Sequence, residues 1–334
     1  MQIHVHPINL DTSLLISLLP SADSTPFFTL LLDPWLSGTS TTYANIFSTQ
    51  AHTLPPLIPS LSDLSQPPSA ILISQSKSDH CSRETLLQLP ASTPIYAVPG
   101  AYELVQSWKY FDAVHKINDW KKGGNGKEVH RLHLPDGRGT VEVVRLPSRW
   151  WEVPMLHSFL SIRVLPSDRQ HLPPAQILYT PHGAPPTAVL PFLNTLPAPE
   201  RKITLLFHPT TQVKLPFWLG GSVVSGAPGL ERVLKEVEVE GIVAVHDEEK
   251  ELGGLVGWFV RNIEKEGKWK GREMEDWTCC GPKELQLRNG SVDDTGMEAK
   301  AEKNGLGVEA EKRVADAVEV ASMEPVPLPV PVSS

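Results

Sequence analysis

The chain has 334 residues, 40% of them hydrophobic, with 38 acidic and 30 basic side chains for a net charge of −8. This length and apolar content suffice for one large α/β domain or two smaller ones. The acidic balance and the lack of a basic stripe argue against a general nucleic-acid binder. Three cysteines, Cys81, Cys279 and Cys280, cannot build a disulfide framework and suggest a reducing compartment. The first seven residues lack the basic start and apolar run of a signal peptide, and the apolar run at 14–19 is too short to span a bilayer. The expected location is the cytoplasm, with no membrane partner.

Residues 3–8, 13–17 and 27–32 are short apolar runs bounded by Asp, Ser or Pro and read as strands. Residues 71–73 form a buried strand, followed by a segment of helical composition at 82–88. Residues 95–97 predict a strand, 101–107 a helix, and the Lys-Lys-Gly-Gly-Asn-Gly run at 121–126 an exposed loop. Apolar and polar residues alternate at 140–145 and 159–164, as in half-buried strands. Strands at 176–180 and 203–207 each run into a loop bearing a histidine. Residues 230–239 predict a helix, 241–245 a strand and 254–263 an amphipathic helix. Two β-rich halves, each with helices, predict a four-layer αββα sandwich over residues 1–277. Early strands follow one another without helices and no Gly-rich phosphate loop occurs, which disfavours a parallel nucleotide-binding sheet. From residue 278 to 334 there is no aromatic side chain, charged residues and Ala dominate, and the end is rich in proline. Such a tail buries too little apolar surface to offset its ordering entropy and is expected to be disordered. Its Pro-Val-Pro-Leu-Pro-Val-Pro end is a candidate extended ligand for a protein partner.

The most telling segment is Ile-Leu-Ile-Ser-Gln-Ser-Lys-Ser-Asp-His at 71–80. It resembles the metal-binding loop of the metallo-β-lactamase superfamily, Thr/Ser-His-x-His-x-Asp-His after a buried strand. Ser74, Asp79 and His80 fit that pattern, whereas Gln75 and Lys77 stand where the first two histidines belong. Further landmarks follow in the family's order over residues 1–265: Asp33 in Leu-Leu-Leu-Asp-Pro-Trp-Leu, similar to the lactonase-like branch, then His157, His182 and His246. The resemblance implies one metal position at Gln75, Lys77 and His157 and another at Asp79, His80 and His246, with His182 in the bridging place.

The two positions differ chemically. An amide is a poor zinc ligand and a protonated lysine repels a dication, so the first is expected to be empty. The second keeps a carboxylate and two imidazoles, with His182 as a further ligand, and implies a single divalent ion: zinc, or alternatively manganese or iron. Lys77 is then a candidate source of the missing positive charge, and Asp79 either a ligand or a general base. The implied activity is hydrolysis of an ester, lactone, thioester or phosphodiester bond in a small-molecule substrate. The alternative is a metal-free binding module of the same fold. Each residue also has a plainer reading. Asp79 and His80 suit a helix cap, His182 an ordinary turn, His246 a strand end, and Cys81 a buried inert thiol. Trp150, Trp151 and Trp218 either line a cleft or cover the core.

Overall fold

A computed structural model describes residues 1–9, 11–21, 24–42, 48–124, 126–147, 157–168, 172–214, 221–248, 250–253 and 277–279. The expected helix at 254–263, the three tryptophans at 150, 151 and 218, and the tail from Cys280 onward lie outside them.

In chain order the strands are β1 (Gln2–Pro7), β2 (Leu14–Leu19), β3 (Phe28–Leu32), β4 (Ser40–Thr42), β5 (Ser48–His52) and β6 (Ala70–Ile73). Helix α1 (Arg83–Leu86), β7 (Ile95–Ala97), helix α2 (Ala101–Ser107), β8 (Val114–Lys116), β9 (His130–His133), β10 (Gly139–Leu146), β11 (Phe159–Pro166) and β12 (Ala175–Tyr179) follow. The rest comprises helix α3 (Pro186–Leu193), β13 (Ile203–His208), β14 (Gln212–Lys214), β15 (Ser222–Ser225), helix α4 (Gly226–Glu236), β16 (Val239–Ala244), β17 (Lys250–Gly253) and β18 (Trp277–Cys279).

Two sheets carry the architecture. The first has seven strands in the order β18-β1-β2-β3-β6-β7-β8, the second six in the order β16-β13-β12-β11-β10-β9. Each is antiparallel on one side and parallel on the other. The switch falls at β3 in the first sheet and at β12 in the second. β18 extends the first sheet to Cys279, two residues past the boundary expected at 277.

The core follows from period-two placement of side chains. Ile177 and Tyr179 of β12, with Leu205 and Phe207 of β13, belong to one buried cluster with residues 30–32 of β3 and 71–73 of β6 in the first sheet. The intervening Leu178 and Leu206 point the other way, onto Val189 and Phe192 of α3 and Leu230 and Val233 of α4. A helical layer on the second sheet's outer face therefore explains why β10 and β11 are buried on both faces rather than half-buried as their alternation predicts. Their polar outward positions are satisfied internally. Glu142 pairs with Arg131 and Arg163, and Ser161 Oγ accepts from Gln176 Nε2 at 2.8 Å.

The helix expected at 230–239 instead runs from Gly226 to Glu236. Pro228 falls in its first turn, where backbone N–H groups have no intrahelical acceptor, so the ring is tolerated. Gly229 has no room for a side chain, because a Cβ there would collide with Ser225 Oγ. The β-branched run after Glu238 is drawn into β16 by parallel pairing with β13. Among the described residues no helix is long and apolar enough to cross a membrane.

His208, at the end of β13, makes a separable prediction. It is fully buried, its Nδ1 donates to the Pro209 carbonyl at 2.7 Å, and Ser225 Oγ lies 3.4 Å from its Nε2. Burial outweighs the attraction of Asp247 and pushes the imidazole from 6.5 down to about 4. The folded form therefore binds a proton later than the unfolded chain as pH falls. Its penalty is absent above about pH 6.5 and grows by about 1.4 kcal/mol per unit, to roughly 3 kcal/mol near pH 4. Denaturant unfolding of His208→Asn across this window is expected to show a shallower loss of stability than the parent chain. Equal pH slopes would refute the assignment.

Candidate metal centre

The loops leaving the parallel strands at their C-terminal ends converge on one place, the usual location of sites in parallel sheet segments. β3 delivers Asp33, β6 the loop with Asp79 and His80, β12 Tyr179 and the turn with His182, and β16 the loop with His246. The β1–β2 turn adds Asp11, and β17 adds Lys250.

Asp33 is completely buried and takes a left-handed backbone, φ 39°. Its Oδ1 accepts from the Ser74 amide at 2.7 Å. Its Oδ2 accepts from Ser74 Oγ at 2.5 Å, Tyr179 Oη at 2.8 Å and His80 Nδ1 at 2.8 Å. With Nδ1–H donated to Asp33, His80 presents Nε2 as a lone-pair donor, and that buried atom has no hydrogen-bond partner among the described residues. Burial works against a charge on His80, but Asp33 and Asp79 outweigh it and pull the imidazole upward. Their field favours a cation at Nε2, whether proton or metal.

His246 repeats the arrangement. Its backbone is left-handed at φ 61°, a conformation costly for a residue with a Cβ. It is held by its amide, which donates to the Asp11 carbonyl at 3.0 Å. Its Nδ1 lies 2.9 Å from Asp11 Oδ1. A buried carboxylate behind each of two imidazoles is the arrangement that orients metal-binding histidines and raises their basicity.

His182 is placed by a tight turn in which the Gly183 amide donates to the Thr180 carbonyl at 2.8 Å. Gly183 sits at φ 87°, and a Cβ there would collide with Ser225 Oγ. Neither His182 ring nitrogen has a hydrogen-bond partner among the described residues. Burial first, then the neighbouring His246, His80 and His157, hold this imidazole well below its ordinary range, so it is a neutral donor.

His80, His182 and His246 bring ligand atoms to within 4.8 Å of one another, with ring centroids 5.5, 5.4 and 4.7 Å apart. Asp79 Oδ2 is 3.9 Å from His80 Nε2, and Asp79 Oδ1 is buried without a partner among the described residues. Burial alone would raise the Asp79 carboxyl, but His80, Lys250 and His246 reverse this and lower it, so the group is ionised at neutral pH. Three imidazoles with ligand atoms this close together, and a carboxylate beside one of them, fit a divalent ion with nitrogen and oxygen ligands.

The remaining residues singled out by sequence fall outside this group. His157 neighbours His182, but its Nε2 is engaged, donating to the Ser222 carbonyl at 2.9 Å. Gln75 is buried, and neither of its amide atoms has a partner among the described residues. Lys77 is half-buried and offers its carbonyl to the amides of His80 at 2.9 Å and Cys81 at 2.7 Å, a turn that sets His80 in place. Cys81 is buried, and burial with the Asp33 charge raises its thiol above the ordinary range, which matches an inert group. The cap reading also holds locally, but on the neighbour: Ser82 Oγ accepts from the Thr85 amide. Sequence reasoning missed Asp11, Tyr179 and Lys250. Lys250 Nζ pairs with Asp11 Oδ2 at 2.7 Å and lies 3.1 Å from His246 Nδ1.

No family model and no curated protein matches the chain. Among solved structures it is similar to a possible metal-dependent hydrolase from Veillonella parvula, with 16% identity over 74% of this chain and 85% of that one and a TM-score of 0.50. It is also similar to an isothiocyanate hydrolase from Delia radicum gut bacteria, 16% identical over 74% and 84% of the two chains with a TM-score of 0.47. A metallo hydrolase from the archaeon Ignicoccus hospitalis is 9% identical over 76% and 100%, with a TM-score of 0.43. At such identities the first likeness speaks for fold alone. With the two mirrored sheets and their outer helices, the chain has the αββα metallo-β-lactamase fold.

Proposed function

We propose that the protein is a metal-dependent hydrolase with a mononuclear centre on His80, His182, His246 and Asp79, acting on an ester, lactone, thioester or phosphodiester bond of a small molecule. The observation that carries this reading is the convergence of three imidazoles, two of them (His80 and His182) with buried nitrogens that have no partner among the described residues, and two (His80 and His246) oriented from behind by buried carboxylates. A bound divalent ion, zinc or alternatively manganese or iron, supplies Lewis acidity toward water and a carbonyl or phosphoryl oxygen. The chain's own residues prepare that chemistry. Asp33 and Asp11 fix the ring orientation of His80 and His246, and His182 stays neutral as the third nitrogen donor. Asp79 is a carboxylate held low, hence a weak proton acceptor, so a ligand role suits it better than that of general base.

The Veillonella likeness supports a hydrolytic metal fold. A metal-free binding module would leave the facing donors of His80, His182 and Asp79 buried and unpaired, at about 1–3 kcal/mol for each such group. The test is turnover of a lactone, an aryl ester, a thioester and a phosphodiester by zinc- or manganese-loaded protein, beside His182→Ala. At least one class is expected to turn over, with kcat/KM reduced by about 100-fold or more in the variant. Absence of turnover in all four classes, or an unaffected variant, contradicts the proposal.

A further inference from the structure

β13 runs between the two strands that deliver His182 and His246, in the sheet order β16-β13-β12. The loop it ends in, residues 208–211, supplies no ligand, yet it is bonded toward both ligand-bearing loops. On the His182 side the joint is Ser225. Its amide donates to the His182 carbonyl at 3.0 Å, and its hydroxyl lies 3.4 Å from His208 Nε2. His208 Nδ1–H is spent on the Pro209 carbonyl, so Nε2 accepts and the serine hydroxyl donates. The same hydroxyl is wedged between two glycines. A Cβ on Gly183 would fall 1.7 Å from Ser225 Oγ, and one on Gly229 2.3 Å from it. The turn that carries His182 therefore packs directly on Ser225.

On the His246 side the joint is Asp247. Its Oδ1 accepts from the Thr211 amide at 2.6 Å and its Oδ2 from the Thr210 hydroxyl at 2.8 Å. The Thr210 amide lies 3.0 and 2.9 Å from the two oxygens. Hydrogen bonds to an ionised carboxylate are the strong, directional kind. The Val245 amide donates to the His208 carbonyl at 3.3 Å, so the residues on both sides of His246 are tied to the loop after β13. These ties help hold the left-handed backbone of His246. The Thr210 carbonyl accepts from the Ala227 amide at 2.9 Å, which joins the Asp247 side to the Ser225 side. The need for such a joint is greatest at His182. Asp33 and Asp11 orient the rings of His80 and His246, whereas no described residue bonds the His182 ring. Its placement falls to its backbone.

We propose that the 208–211 loop is a bracket that fixes the spacing of His182 and His246 in the metal centre, with Ser225 and Asp247 as its positioning residues. This rests on the metal-centre reading above and goes beyond it by assigning ligand placement to two residues outside the ligand set.

The test uses the full chain loaded with cobalt(II), whose visible spectrum reports ligand number and geometry. Affinity is read by competition with a chelator, and the stability of the metal-free protein by urea unfolding. Ser225→Ala and Asp247→Ala are each expected to weaken cobalt(II) binding by about 10–100-fold, the range for losing a group that orients a ligand, and to alter the visible bands. Asp247→Asn keeps one acceptor oxygen. It is expected to show a smaller loss in the same direction, and it reports even if Asp247→Ala folds poorly. Val164→Ala serves as the control for stability. Val164 is buried and pairs with Ala175 at the start of β12, the opposite end of that strand from Tyr179. Its variant is expected to unfold at lower urea with affinity and spectrum unchanged. Parent-like affinity and spectrum in Ser225→Ala or Asp247→Asn would overturn the proposal, as would an equal loss of affinity in Val164→Ala. A folded parent chain that binds no cobalt(II) would overturn the metal-centre reading itself and the bracket with it.

Discussion

Asp33→Ala is expected to lower stability by about 3–5 kcal/mol, the range for breaking a buried, fully hydrogen-bonded charge. One carboxylate accepts from the Ser74 amide and hydroxyl, the Tyr179 hydroxyl and the His80 ring. Its removal strands all four donors where water does not reach, since Asp33, His80 and Tyr179 are each fully buried. For a domain of this size the loss corresponds to a fall in Tm of roughly 10 °C or more. The same substitution frees the His80 ring, and losing such an orienting partner lowers metal affinity by about 10–100-fold. Thermal unfolding of the metal-free protein separates the first effect from the second. A change below about 1 kcal/mol would mean that the Asp33 network does not hold the centre together.

Asp11→Ala is expected to be comparably severe for a different reason. It leaves the Lys250 ammonium buried without its carboxylate and removes the group behind His246. The single loss should cost about 3–5 kcal/mol, whereas Asp11→Asn/Lys250→Met, which removes both charges, should cost markedly less. The sign of the pH effect follows from the Asp11 carboxyl. Burial would raise it, but His246 and Lys250 hold it far below the ordinary carboxylate range. Its contribution is therefore fully present above about pH 4, the unfolded value, and is lost as acid titrates the folded form. A double-mutant cycle with no coupling between Asp11 and Lys250 would contradict this account.

The strand–loop pattern made much of this site legible from the chain alone. His80, His182 and His246 each follow an apolar strand and are separated by whole structural units, and Asp33 sits after Leu-Leu-Leu where the buried strand ends. Such local signals survive in one dimension. Asp11 and Lys250 carry none. Asp11 lies in an Asp-Thr-Ser turn, where aspartate is ordinary. Lys250 ends an Asp-Glu-Glu-Lys run that resembles a solvated surface. Only pairing of β17 with β5 brings Lys250 onto Trp35, and only the antiparallel β1–β2 turn brings Asp11 to His246, 235 residues away in sequence. The outer helical cover of β10 and β11 was hidden for the same reason. Alternation shows that one face is apolar, but not what lies against the other.

The most direct test of the centre is metal content by mass spectrometry on the full chain purified without chelator, beside a His80→Ala/His182→Ala/His246→Ala variant whose folding is checked by circular dichroism. About one divalent ion per chain in the parent protein, absent from the folded variant, is the predicted result. A parent chain that stays empty after exposure to zinc, manganese and iron, or a variant that retains the ion, would contradict a metal centre built on these three imidazoles.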